Sequence, residues 1–421
     1  MSRRVAVVGL GVKAPGGCSV SDLWARLLDP KTMAAPQDFG YDLTMLEAAK
    51  IACEITDDDS GGERYFSKSE LRRIDPVIRM GMAAAVDAVD GAAGEVLAAA
   101  DPTRRACIIG TGIGGIQTFA EQSAIMRERG VAGVSPFAIP MTMANAMPGL
   151  LSMKLDLRGP TSAITLACAS STVALGDAMN LIRSDRADVV IAGGMEASRC
   201  AEGFVGFARI EALSTHAGDP SEASRPFSAD RSGFVIGEGG AMLTLCSEEL
   251  AASTGAPVLG WIDGFGTTTD AHHMVAPRPD AAGAATSMQL ALADAGLAPT
   301  DIGHINAHGT STFLNDQAES LAIETVFGDH RPAVTATKGV TGHLIGGSGA
   351  VEAIATVLAT STGIVPPIAN TTEIDPELSA DGVVGEPRSI GPAPALSNSF
   401  AFGGHNATIA ISPGSVESLG L

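Results

Sequence analysis

Cys168 stands in Ile164-Thr165-Leu166-Ala167-Cys168-Ala169-Ser170-Ser171, with a β-type run before it and small helix-forming residues after it. That pattern puts a thiol at a strand-to-helix turn. Unpaired N–H groups and the helix dipole there favour thiolate over thiol, and the small neighbours admit a thioester. His308, in Asn306-Ala307-His308-Gly309-Thr310-Ser311-Thr312, lies just past a strand end, where α/β proteins place chemistry. His343 follows in Thr337-Lys338-Gly339-Val340-Thr341-Gly342-His343, and Glu352 comes later inside an apolar helix. A buried Lys338 and Glu352 must pair, and such a pair beside a histidine sets its tautomer and orientation. Phe400 and Phe402 sit in the Gly-rich run Ser399-Phe400-Ala401-Phe402-Gly403-Gly404. They are either core packing or a mobile gate whose backbone N–H groups face an oxyanion. A lone cysteine or histidine is more often an inert core residue. The chemical reading rests on all of these occurring together, and the other five cysteines read as inert.

The elements that must hold these groups are legible as alternation. Arg105–Gly110, Asp188–Gly193 and His304–Ala307 read as buried strands. Ala284–Ala295 and Val351–Ala359 read as helices, so the class is α/β with helices covering the sheets. The chain has 421 residues, beyond the usual single core, so two halves are expected, 1–253 with the nucleophile and 254–421 with the histidines and Phe-rich loop. The segment Ala251–Val258 is the candidate boundary. No short-period repeat is visible.

Composition excludes several classes. Hydrophobic residues are 45% and aromatics 4%, so the core is built from Ala, Val, Leu and Ile around 50 glycines. No apolar run is long enough to span a membrane, and the N-terminal run is too short for a signal peptide, which points to the cytoplasm. Six scattered cysteines without a CxxC pair imply reduced thiols. The histidines lack zinc-ligand spacing, and no metal is expected. A net charge of −20 argues against nucleic acid. It also means that an acidic protein partner needs a local basic attractor.

Taken in order and at this spacing, the motifs resemble the β-ketoacyl-[acyl-carrier-protein] synthases of the synthase II type. The match includes Gly110-Thr111-Gly112-Ile113-Gly114-Gly115, the Ala167-Cys168-Ala169 element, Ala223–Phe227, Asp230–Val235, both histidine segments and the Phe-rich loop. The resemblance implies the thiolase fold, two similar halves in a five-layered α-β-α-β-α core, and a dimer. It makes Cys168 the nucleophile that takes the acyl group. His308 and His343 would support decarboxylation of malonyl-carrier protein, with Lys338 and Glu352 as their ion pair. The amides of Cys168 and Phe400 would form the oxyanion hole, with Phe400 as gate and Phe402 in the same loop. Thr310 and Thr312 would touch the phosphopantetheine arm of the carrier protein, and no cofactor is bound by the enzyme itself. Ile113 and Phe207 would line the acyl tunnel. Many relatives carry Pro-Phe-Phe where this chain has Pro136-Phe137-Ala138, so Ala138 widens or lengthens that tunnel.

Lys68, Arg72 and Arg79 are spaced for one helical face, with Arg64 and Arg73 beside them. Such a run is usually a solvated face, but the family docks its acidic carrier protein, in acyl and malonyl forms, near this segment. Four departures stand out: Gly339 after Lys338, Ala401 between the phenylalanines, Phe313-Leu314-Asn315-Asp316 after Thr312, and Glu211 where relatives carry a docking arginine. The leading reading is an elongating synthase of fatty-acid or related synthesis, working as a homodimer. The alternative is the ketosynthase subunit of a discrete polyketide system, a heterodimer with a chain-length factor. A non-catalytic chain-length subunit would lack the nucleophile. A degradative thiolase would use coenzyme A and a cysteine beyond Cys246, and none follows it.

Overall fold

β-branched and small apolar runs ending at glycine or polar residues form the strands of one main sheet. In the computed structural model, which describes residues 3–43, 45–55 and 65–415, these are β1 (Val5–Lys13), β2 (Arg105–Gly110), β3 (Thr161–Ile164), β4 (Val189–Glu196) and β5 (Gly239–Ser247) in the first part of the chain. β6 (Gly260–Thr269), β7 (His304–Asn306), β8 (Ala333–Thr335), β9 (Ala395–Ala401) and β10 (His405–Pro413) follow. Their spatial order is β8-β7-β9-β10-β6-β1-β5-β4-β2-β3. Each set of five is thus laid out as third, second, fourth, fifth, first, and the two first strands meet antiparallel at the centre. The strand directions repeat as well. First with fifth and fifth with fourth are antiparallel, while fourth with second and second with third are parallel, in both sets.

The helices Ser170–Arg183 and Ser348–Thr362 lie against each other between the two half-sheets. Ser348–Ser361 is buried on every side, which is why it reads as apolar all round. Pro76–Ala88 covers β1, β5 and β4 from outside, and Ala282–Ala295 covers β6 and β10. The result is the five-layered α-β-α-β-α thiolase fold. Glycine permits the tightest contact: a Cβ on Gly11 of β1 would fall 2.0 Å from the Ala84 carbonyl oxygen of the covering helix.

The two sheet edges differ. At β8, Val334 exchanges hydrogen bonds with Asp381 and Val383, so a loop covers that edge. β3 ends the order at the other edge and is partly exposed, and Phe137, Ile139 and Met143 are exposed apolar residues of the segment that precedes it.

His304 opens β7 fully buried, with neither ring nitrogen hydrogen-bonded among the described residues, and burial pushes its pKa down to about 3. Its folded pKa lies below its unfolded one, near 6.5, so acid protonates the unfolded chain first. Stability contributed by this site is therefore complete above about pH 6.5 and lost progressively toward pH 3, by up to about 5 kcal/mol. Buried Glu196 and Glu319 have raised pKa values and act in the opposite direction, so a comparison isolates the histidine. Urea unfolding at pH 7 and pH 4.5 should show a smaller acid loss in His304→Leu than in the parent; equal losses would contradict this.

Candidate active site

Cys168 ends a strained turn. Ala167 sits at φ 45°, in the left-handed region that non-glycine residues rarely enter, and the helix begins at Ser170. Ser170 holds the turn, its Oγ accepting the Leu166 N–H at 2.8 Å and donating to the Ala167 carbonyl at 2.7 Å. The sulfur is thereby aimed into a cavity of about 310 Å³ instead of into the core. Burial opposes the stabilised thiolate that the sequence pointed to. Burial pushes the Cys168 thiol up to about 12, against the Lys338 charge and the Phe402 N–H, which both favour the anion. The helix N-terminus favours it as well, against the cost of full burial.

His343 points its Nε2 at the Cys168 sulfur, 3.0 Å away. Its Nδ1 accepts the Ile345 backbone N–H at 3.2 Å and lies 2.9 Å from Ser348 Oγ. An N–H donor at Nδ1 leaves the ring proton on Nε2, so His343 donates toward the sulfur. His308 reaches the same tautomer by another route. Lys338 Nζ donates to His308 Nδ1 at 3.1 Å, to the His308 carbonyl and to Glu352, which uses all three of its protons. The His308 Nε2 therefore also carries hydrogen. Burial and the Lys338 charge keep both imidazoles neutral by holding their pKa values well below the usual range. Only His308 is supported by the Lys338–Glu352 pair; His343 relies on Ile345 and Ser348 instead.

One ring nitrogen of each histidine and the Cys168 sulfur lie within 4.8 Å of one another, all buried. Two neutral N–H donors facing one nucleophile can hold an oxygen that gains negative charge, without a metal. Glu319 steadies the His308 loop by accepting the His308 and Gly309 N–H groups, each at 2.8 Å, and burial raises its pKa to about 7. Asp316, one turn earlier, accepts the Phe227 N–H at 2.8 Å. Sequence reading missed Glu319, Asp316 and Ser348. Two acids three apart in Phe313–Phe327 were the available signal, since burial of both demands donors.

Thr310, Thr312, Phe400 and Phe402 line the cavity with Cys168, His308 and His343. The backbone amide that reaches the sulfur is that of Phe402, whereas the Phe400 ring lies edge-on to His308 at 6.2 Å. The loop amide next to Cys168 is thus corrected from Phe400 to Phe402. The reason is the register: Phe400 is laddered opposite Asn406, and the chain turns only after Ala401. Ala401 keeps a negative φ, and positive φ falls at Gly403 and Gly404, so its methyl group is accommodated.

Ile113, Ala138 and Phe207 do not line this cavity. Phe207 stands behind Phe234, which in turn packs on His343 with ring centres 5.2 Å apart. Ile113 is 42% exposed, and Ala138 lies in a short helix among exposed apolar neighbours. The basic residues do not share one helical face. Lys68–Leu71 is a four-residue helix, and a second begins at Pro76. Asp75 caps that second helix at Val77, and the residue before proline must be extended, so the chain breaks there. Lys68, Arg72 and Arg73 are exposed, while Arg79 is drawn back to donate to the Leu71 carbonyl at 3.1 Å. Arg64 lies outside the described residues.

Residues 2–251 match the family model described as beta-ketoacyl synthase, N-terminal domain, and residues 259–372 that of its C-terminal domain. A curated relative, 3-oxoacyl-[acyl-carrier-protein] synthase 2 of Synechocystis sp., is 40% identical over 414 residues, 97% of each chain. Among solved structures, the ishigamide ketosynthase/chain length factor superposes with a TM-score of 0.90 at 32% identity, covering 98% of this chain and 100% of the other. A type II PKS acyl-carrier protein in complex with its ketosynthase bound to the hexaketide gives 0.87 at 26%, with 98% and 100% covered.

Proposed function

The chain belongs to the β-ketoacyl synthase family, and from that premise we propose how its own residues divide the reaction. It is a β-ketoacyl-[acyl-carrier-protein] synthase, an acyltransferase that forms carbon–carbon bonds. In the first half-reaction the Cys168 sulfur attacks the acyl thioester. The carrier thiol leaves with the proton, and the acyl group rests on Cys168. In the second, malonyl-carrier protein loses CO2. The electron pair moves to an enolate oxygen held by the Nε2–H groups of His308 and His343. The α-carbon then attacks the Cys168 thioester, a C–C bond forms, and the C–S bond breaks to return the sulfur as a thiolate, which takes up a proton from water. The amides of Phe402 and Cys168 would hold the oxyanion, and Thr310 and Thr312 the phosphopantetheine arm. The gathering of Cys168, His308 and His343 within 4.8 Å, with the His343 Nε2 on the sulfur, carries this reading. Incubation with acyl- and malonyl-carrier protein should yield CO2 and a β-ketoacyl-carrier protein two carbons longer. Absence of that product would remove the assignment.

Fatty-acid elongation as a homodimer is the leading setting. The terminal position of β3 in the sheet and the exposed apolar residues Phe137, Ile139 and Met143 also suit a second subunit of a different kind, as in a ketosynthase paired with a chain-length factor. Native mass spectrometry of the protein from its source separates two identical chains from two different ones. In either assembly Ala138 would face the partner's acyl tunnel, where a methyl group leaves space that a phenyl ring would fill. Ala138→Phe should shorten the longest product while leaving reaction with short primers within about twofold. Identical product lengths would place the limit elsewhere.

Carrier protein would dock beside Lys68, Arg72 and Arg73, the exposed cations of this segment. Arg72→Glu should raise the apparent KM for carrier-protein substrates about threefold to tenfold and flatten its salt dependence. An unchanged KM would make the segment an ordinary solvated face.

A further inference from the structure

Glu196 ends β4 fully buried, and the reaction just described does not use it. Its Oε2 accepts the Gly112 N–H at 2.7 Å and the Gly346 N–H at 3.3 Å. The Ile113 N–H and the Thr111 hydroxyl, 3.4 Å from Oε1, complete the set. One carboxylate therefore brackets two loops that are far apart in sequence. The first is Gly110–Gly115, which carries Ile113. The second is the turn after His343.

The bracket leaves no slack. A Cβ on Gly112 would stand 2.7 Å from Glu196 Oε2 and 2.8 Å from the Ile345 side chain, and one on Gly346 would stand 2.2 Å from the Gly112 nitrogen. The turn it holds is strained, because Ile345, a β-branched residue, sits at φ 44°. That same Ile345 supplies the N–H that keeps His343 Nδ1 unprotonated. Release of Gly346 would let Ile345 relax toward ordinary φ and withdraw that N–H. The Nδ1–H tautomer of His343 would then become accessible, with its Nε2–H donor lost.

We propose that Glu196 is a positioning residue that couples the loop bearing Ile113 to the tautomer and orientation of His343. Ile113 lies outside the cavity at Cys168, and an acyl chain long enough to reach its loop would act, through this carboxylate, on the donor needed for the following decarboxylation. The inference rests on the division of half-reactions given above.

The test uses the full-length protein in its native assembly. Glu196→Gln keeps the shape but places an NH2 group where one acceptor stood. It should lower CO2 release from malonyl-carrier protein at least about tenfold, as expected for a misplaced donor. Acyl transfer to Cys168, read by mass spectrometry, should stay within about threefold. In 15N-histidine spectra, His343 should show one tautomer in the parent and a mixture in the variant. Equal loss of both half-reactions, or unchanged His343 signals, would overturn the proposal. Should Glu196→Gln not fold, the parent decides. Alkylation of Cys168 with either reagent alters the sulfur beside His343 Nε2, but an N-octyl iodoacetamide should move the His343 Nδ1 signal further than N-methyl iodoacetamide does; identical Nδ1 shifts would overturn the coupling. A parent that neither loads acyl groups nor releases CO2 would instead refute the reading of the reaction itself.

Discussion

Cys168→Ala should abolish acyl-enzyme formation and lower condensation by at least about a thousandfold, because the acyl group would then have no atom on which to rest. The protein should still fold, since the substitution removes one sulfur from a cavity wall and leaves the Ser170 bonds that hold the turn. Alkylation gives a second measure. Cys168 is the cysteine on the cavity wall, whereas Cys18, Cys53, Cys107 and Cys246 are buried outside it. Cys200, partly exposed, is the competitor to watch. With its thiol pushed up to about 12, Cys168 holds little thiolate near neutral pH. Its labelling rate with iodoacetamide should then rise about tenfold per pH unit from pH 7 to 10. A plateau below pH 8 would mean that the helix N-terminus outweighs burial after all. Normal condensation by the alanine variant would overturn the whole assignment.

His308→Ala should leave acyl loading largely intact and lower malonyl decarboxylation by about a hundredfold to a thousandfold. That is the usual cost of removing one preorganised donor from a developing oxyanion. Loading needs the sulfur and the loop amides, and His308 touches neither among the described residues. His343 is different, because its Nε2 lies on the sulfur as well. His343→Ala should lose decarboxylation to a similar extent and also slow loading. Mass spectrometry of each variant after exposure to acyl-carrier protein separates the two. No acyl adduct on the His308→Ala protein would contradict this division of labour.

Neither rate should follow a histidine titration between pH 6 and 8, because both rings are held neutral well above their lowered pKa values. A limb near pH 7 in the decarboxylation profile would instead implicate Glu196 or Glu319, the buried carboxyls raised to about 7.

The sequence by itself determined the candidate nucleophile, the two histidines beside it, the Lys338–Glu352 pair and the α/β class. Each of these is written locally. A β run followed by small helix formers makes the turn at Cys168, and an acid in an otherwise apolar helix calls for a buried cation. The break at Asp75-Pro76 was written locally too, as an N-cap before a proline, and the spacing of the arginines hid it. Tertiary structure alone decided the rest. The tautomers depend on what meets each Nδ1, Lys338 in one case and the Ile345 amide in the other, and spacing along the chain encodes neither. The loop amide at the sulfur depends on the register of β9 against β10. Glu196 and Gly346 meet across 150 residues, and the duplicated strand order appears without a visible repeat. Strand order is set by backbone pairing and overall burial, which many different side chains satisfy, whereas a donor's direction is set by single contacts that only the folded chain creates.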